Sequence, residues 1–195
     1  MVSFLYNFYF RMFFNIERKF NLDLLFLDYL TKDYEDEVKE ILFNSDKEFY
    51  PPLSFRKGTT QSNLNLEDGE SKVPLDYFIK MKEQSFILAI EDGKVIGFLT
   101  FRPSYNLDLE NFKCICSYVS TIIVVPEQRN KGITSKMYDK LFKISKDDFV
   151  ATRTWSTNNS HMHLLDKKGF SLVSRLINDR GNNIDTVYYA KKLRD

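Results

Sequence analysis

Cysteine, histidine and tryptophan are scarce in this chain: two, two and one among 195 residues. Cys114 and Cys116 stand two residues apart, too close to bridge comfortably and too few to hold a metal unaided. A disulfide framework is excluded, no metal is expected, and a reducing, cytoplasmic setting is the natural expectation. His161 and His163 are two apart on an expected helix, so they point about 200° apart and cannot chelate one ion together. They read as surface or partner-packing residues, with His161 near enough to Asn158 for a minor part there. Seven glycines and five prolines rule out a collagen-like chain.

Charge of one sign is missing as well. The 28 Lys+Arg and 27 Asp+Glu leave a net charge of +1. No broad basic field exists to displace counterions from a polyphosphate, so nucleic acid is not an expected partner and any anion site must be local. Long apolar runs are also lacking. Residues 1–14 (MVSFLYNFYFRMFF) are strongly apolar, yet Arg11 interrupts them, and the unbroken stretch is about half the roughly 20 residues that span a bilayer. No integral membrane segment is expected, and the basic start and small-residue cleavage site of a secretory signal are both absent. Residues 1–20 read as an apolar extension that packs against the body or a second subunit, as in a homodimer. Residues 21–195 read as a single domain.

What is present is a core. With 43% hydrophobic residues, including 18 Phe and 11 Tyr, a chain of this size can bury about 70% of its unfolded surface. Leu24 to Leu30 predicts a strand leading into a helix with Val38, Ile41, Leu42 and Phe43 at helical spacing. Residues 48–71 form a long loop carrying Pro51, Pro52, Gly58 and Gly69, and Pro74 opens a short helix through Tyr77, Phe78 and Met81. Ser85 to Ile90 and Lys94 to Phe101, turned by Asp92-Gly93, predict a hairpin. Ser117 to Val125 is almost wholly β-branched and stops at Pro126, as a buried central strand does. A helix starts near Gly132, Phe149 to Trp155 makes a strand, Asn158 to Lys168 a helix, and 170–177 with 185–190 a last hairpin.

The segment 126–136 (PEQRNKGITSK) joins the central strand to a helix. A first helical turn presents unpaired backbone N–H groups and the positive end of the helix dipole, which together favour an anion. Gly132 lets backbone approach a phosphate, Arg129 and Lys131 add charge, and Thr134 and Ser135 add hydroxyl donors. The spacing fits neither a Walker loop nor a dinucleotide fingerprint, and an ordinary strand-to-helix turn with a solvated basic rim stands beside the anion-site reading.

Val124, Pro126, Arg129, Gly132, Ile133 and Ser135, followed by Asn158 and the Leu164–Phe170 run LLDKKGF, resemble the GNAT superfamily of N-acetyltransferases, most closely between Phe86 and Phe170. The resemblance implies an α/β fold with a mixed, mostly antiparallel sheet of six to seven strands flanked by about four helices. It implies acetyl-CoA as the acetyl donor. In that family an Arg/Gln-x-x-Gly-x-Gly/Ala loop cradles the pyrophosphate, which carries over to Arg129, Asn130, Lys131, Gly132, Ile133, Thr134 and Ser135, while a later Asn, here Asn158, helps hold the cofactor. It further implies direct attack of an amine on the thioester, in a small molecule, amino acid or peptide. A central-strand N–H within Thr121 to Val125, with Ile123 or Val124 favoured over Val125, would polarise the carbonyl.

Two departures bear on mechanism. Leu165 stands where the family commonly has a Tyr that protonates the leaving thiolate, and leucine donates no proton. A thiolate of pKa near 8.5 can leave with help from water or from a hydroxyl such as Ser160. The strand before the loop reads Tyr118, Val119, Ser120, Thr121 where many relatives have a Glu. Tyr118 and Ser120 could order a water, and Glu67, Asp68 and Glu70 could lie near the acceptor. A lysine-like amine, with a pKa of about 10.4, needs such help more than an α-amino group near 8. A module that binds acetyl-CoA without transferring it, as a sensor, is the competing expectation, and Trp155 reads either as a wall of an acceptor pocket or as core.

Overall fold

The computed structural model describes residues 22–61, 63–64 and 73–194. The apolar extension and Glu67, Asp68 and Glu70 lie outside the described residues.

Seven strands form one sheet: β1 (Leu22–Leu27), β2 (Ser85–Glu91), β3 (Lys94–Leu109), β4 (Phe112–Val124), β5 (Phe149–Trp155), β6 (Ser171–Gly181) and β7 (Ile184–Lys192). Four α-helices accompany them: α1 (Lys32–Asn44), α2 (Leu75–Met81), α3 (Ile133–Ile144) and α4 (Asn159–Lys167). The strand order is β1-β2-β3-β4-β5-β7-β6, and only the β4–β5 pair is parallel. This is the mostly antiparallel mixed sheet expected from the sequence.

Side chains alternate across the sheet, so each strand feeds two layers. On one face Val119, Val124 and Val150 pack with Met137, Leu141, Leu165 and Phe170 under α3 and α4. On the other, Phe86, Leu88, Phe98 and Ile123 pack with Val38, Leu42, Tyr77 and Met81 under α1 and α2. A third cluster gathers Leu107, Cys116, Tyr118, Ala151 and Tyr188, with Cys114 half-buried against it.

The β3–β4 hairpin is longer than the pattern predicts. The apolar pattern ends β3 at Phe101 and starts β4 at Ser117. The chain absorbs Pro103 in an irregularity between Arg102 and Tyr105, with Ser104 at φ +51, and pairing resumes to Leu109.

Candidate active site

The central strand separates from its parallel neighbour partway along. β4 pairs with β5 only from Cys116 opposite Phe149 to Val119 opposite Thr152. At that point the β3 register jumps from Phe101–Val119 to Thr100–Thr121, which leaves Ser120 unopposed as a bulge. A bulge bends its strand and re-aims the side chains beyond it. The Thr152 hydroxyl donates to the Val119 carbonyl at 3.1 Å and closes the vertex. Beyond it lies a cleft of about 320 Å³, walled by Thr121–Val124 on one side and Arg153–Trp155 on the other.

The ladder decides which backbone groups face this cleft. The Val125 N–H donates to the Ile96 carbonyl at 3.0 Å, and alternate residues of an antiparallel pair bond the partner strand. Thr121 and Ile123 therefore bond β3, while the N–H groups of Ile122 and Val124 point to the open edge. The Val124 carbonyl on that edge accepts from Arg129 Nε at 2.9 Å. Of the two strand donors favoured from sequence, the Val124 N–H faces the open edge, whereas the Ile123 N–H, like that of Val125, is spent on β3.

The loop after β4 holds an unspent helix terminus. Asn130 and Gly132 are left-handed, at φ +63 and +75, and Gly132 precedes the first turn of α3. The first intrahelical bond runs from the Lys136 N–H to the Gly132 carbonyl, and no side chain caps the helix. The N–H groups of Ile133, Thr134 and Ser135 are thus the orphan donors of that turn. A Cβ placed on Gly132 would meet nothing within 4 Å, so the space above the turn is open. Thr134 lines the cleft; the Ile133 side chain is buried core and offers only its backbone. Lys131 donates to Gln128. Arg129 is less free than its position in sequence implies. Its guanidinium forks onto the Glu48 carboxylate at 2.9 and 2.7 Å, so much of its charge is already met.

The start of α4 is the opposite case. Asn158 caps it, accepting from the His161 N–H at 3.3 Å and donating to Thr154 Oγ1 at 3.1 Å. Its side chain lines the cleft while holding the helix in place. Ser160, His161 and Leu164 line the cleft as well. His161 is half-buried at the cleft: its ring stacks on Tyr138 and shares a 3.0 Å hydrogen bond with the phenol. Burial pushes its pKa down to about 4, so the imidazole is neutral. His163 is exposed. Leu165 is fully buried in the core under α4 and is not a cleft residue.

Ser120 lies in the cleft wall, but its hydroxyl is committed. It donates to Gln84 Oε1 at 2.7 Å and shares a 2.8 Å bond with Thr100, while Thr121 bonds the Tyr77 hydroxyl at 2.8 Å. Tyr118 stacks on Tyr105 in the third cluster, away from the cleft lining, and burial raises its pKa well above the usual phenol range.

On the face away from α3 and α4, the cleft is lined by residues that no motif marks. Trp155 walls it with Phe49, their rings 5.9 Å apart. Arg56, Arg153 and Arg180 complete that wall. These three arginines, Glu48 and Phe49 come from a loop, two strands and a short turn far apart in sequence, so no local spacing announces them.

The profile of the acetyltransferase (GNAT) family matches residues 28–170. No curated protein matches the chain. Among solved structures, the chain is similar to an N-acetyltransferase of Staphylococcus aureus, at 16% identity over 88% of this chain and 99% of that one, with a TM-score of 0.59. It is similar to the ribosomal-protein-alanine N-acetyltransferase of Brucella melitensis at 15% identity, over 86% and 99% of the two chains, with a TM-score of 0.61. A protein of Salmonella typhimurium assigned as an acetyltransferase, solved with its cofactor acetyl-CoA, matches at 14% identity over 89% and 95%, with a TM-score of 0.60. At these identities the likeness is one of fold.

Proposed function

The chain belongs to the acetyltransferase (GNAT) family, and on that premise we propose that it transfers the acetyl group of acetyl-CoA to an amine by direct attack in a ternary complex. The observation that carries this reading is the open edge of β4 lying beside the uncapped first turn of α3. Acetyl-CoA, when bound, would supply an activated thioester. The N–H groups of Ile133, Thr134 and Ser135, with the Thr134 hydroxyl, would hold phosphate oxygens at the helix terminus. The Val124 N–H would donate to the carbonyl oxygen as negative charge develops there. Asn158 would orient the ligand from the cap of α4, and the Ser160 hydroxyl at the rim would return a proton to the departing sulfur. Ser120 and Thr121 would fix the acceptor side through their hydroxyl network.

Calorimetric titration with acetyl-CoA, run beside Gly132→Asp, tests the reading. Micromolar binding that falls at least tenfold in the variant, about 1.4 kcal/mol or more, is expected, since the new carboxylate stands against the phosphates. Unchanged affinity in the variant would sink the loop assignment. A second reading, a sensor that binds acetyl-CoA without turnover, draws support from the identity of Leu165, which supplies no phenol to protonate a leaving thiolate. Release of free thiol on adding an amine separates the two.

A further inference from the structure

Arg56, Arg153 and Arg180 line one wall of the cleft. Arg56 is 7% exposed and Arg180 3% exposed, while Arg153 is half-buried. Among the described residues, every hydrogen bond they make is to a neutral oxygen. Arg56 donates to the carbonyls of Pro51 (2.7 and 3.1 Å) and Tyr50 (3.3 Å). Arg153 donates to the Tyr188 hydroxyl (3.2 Å) and the Gln61 carbonyl (2.6 Å). Arg180 donates to Thr186 Oγ1 (2.9 Å) and the Tyr50 carbonyl (2.5 Å). Their planes lie over Phe49, Tyr188 and Trp155, at 5.7, 5.9 and 5.9 Å from the ring centres.

Among the described residues no carboxylate pairs with any of the three. Asp46 accepts from Ser54, Asp179 from Thr186, and Glu48, the one acidic group in the cleft lining, is held by Arg129. A fourth guanidinium, Arg102, reaches Thr59 at 3.0 Å, and its Nε is buried without a partner among the described residues. Buried charge is ordinarily paired, so a concentration of guanidinium groups with no carboxylate partner among the described residues suits a cavity wall to an anionic ligand. Burial first, then the charges of Arg56 and Arg153, bring the Arg180 pKa down to about 9 against the pull of Asp179, while the phenols of Tyr118 and Tyr188 outweigh burial and push Arg153 up.

The cluster is not part of the α3 anion site. Val119, Val124 and Val150 face α3 and α4, whereas Ala151 and Tyr188 face the other way, and Arg153 follows Ala151 by two residues on β5. The arginines therefore meet the cleft from the face opposite the helix termini. An acceptor amine must come from that side if the donor lies along α3.

We propose that Arg56, Arg153 and Arg180 form an oxyanion-binding acceptor subsite, and that the acceptor is a small amine carrying one or more carboxylates, held against the wall that Phe49 and Trp155 form. Guanidinium groups bind carboxylates through planar, paired donors, and the aromatic walls keep them desolvated. This rests on the acetyltransferase reading for the word acceptor, and not for the anion site itself.

Succinate and its neutral isostere succinamide are the probes, titrated calorimetrically into the full chain with and without saturating acetyl-CoA. Succinate is expected to bind at least tenfold more tightly than succinamide. That preference should fall at least fivefold in both Arg153→Gln and Arg180→Gln, while acetyl-CoA affinity changes less than twofold in either. Arg153 is half-buried and carries the test should Arg180→Gln fold poorly. Equal binding of succinate and succinamide, or a preference that survives Arg153→Gln, overturns the proposal. Displacement of acetyl-CoA by succinate also overturns it, by assigning the arginines to the donor. Succinate binding in a protein that ignores acetyl-CoA would leave the anion site standing and remove the transferase reading instead.

Discussion

The two faces of the cleft offer positive charge in different ways. Toward α3 and α4 it is backbone: three N–H groups of one helical turn, supplied within a few consecutive residues and needing no buried ion. On the other face it is side chain: guanidinium groups from the loop after Pro52, from β5 and from β6, brought together only by the completed sheet. A backbone site leaves a local signature and costs little to keep empty. A side-chain site carries unmatched buried charge whenever it is empty, so it persists only where surrounding carbonyls and rings hold each group in place.

Gly97 braces β4, the strand both faces share, from behind. It lies opposite Val124 on β3, and a Cβ there would stand 2.7 Å from the Ile123 carbonyl oxygen. Gly97→Val is expected to lower stability by roughly 2 to 4 kcal/mol and to weaken acetyl-CoA and succinate together. Denaturant unfolding beside the two titrations checks it; loss of one ligand alone would show that the faces are built independently. Leu165→Tyr acts on the α4 face only. Because Leu165 is wholly buried, the larger ring should cost about 1 to 3 kcal/mol and bring no gain in thiol release. A stable, faster variant would restore the usual proton donor at this position.

A pH scan sharpens the same contrast. Burial holds the His161 pKa near 4, below the value of about 6.5 expected unfolded. The folded state therefore disfavours the proton. The stability this represents is fully present above about pH 6.5 and is lost as pH falls toward 4, by roughly 2 kcal/mol, or about 4 to 8 °C in Tm. In His161→Phe that acid-side loss should shrink. Above about pH 7, where succinate carries both charges, its preference over succinamide should be the same in His161→Phe, because the imidazole stands on the α4 face.

The order of strands and helices was legible because apolar periodicity is local: Phe149–Trp155 and α3 stand where the pattern puts them. The turn from β4 into α3 through 126–132 likewise lies where the pattern puts it. What the pattern could not carry was partnership. Nothing near Arg129 announces Glu48, eighty-odd residues earlier, and nothing near Leu165 distinguishes a cleft position from the core one beside it. The outer half of the β3–β4 hairpin was missed because apolar residues stop at Phe101, and the irregularity between Arg102 and Tyr105, past which pairing resumes, has no fixed sequence mark. Ile123 and Val124 are equivalent as residues; only the ladder parity tells them apart.

The smallest expected effect concerns the one pair that spans the comparison. Glu48 and Arg129 are each about two-fifths exposed, so their ion pair contributes little to stability, between 0 and about 1 kcal/mol. Its electrostatic role is larger than its energetic one, because the carboxylate cancels the only side-chain cation that reaches from the loop into the cleft. Glu48→Gln keeps the shape and an oxygen acceptor for Arg129 while removing the opposing charge. Acetyl-CoA affinity should rise about threefold at low salt, with the gain fading as ionic strength approaches 0.5 M, while unfolding is unchanged. An affinity that falls instead would mean that the carboxylate orients Arg129 and that the loop depends on a side chain after all, which would erase the difference between the two faces.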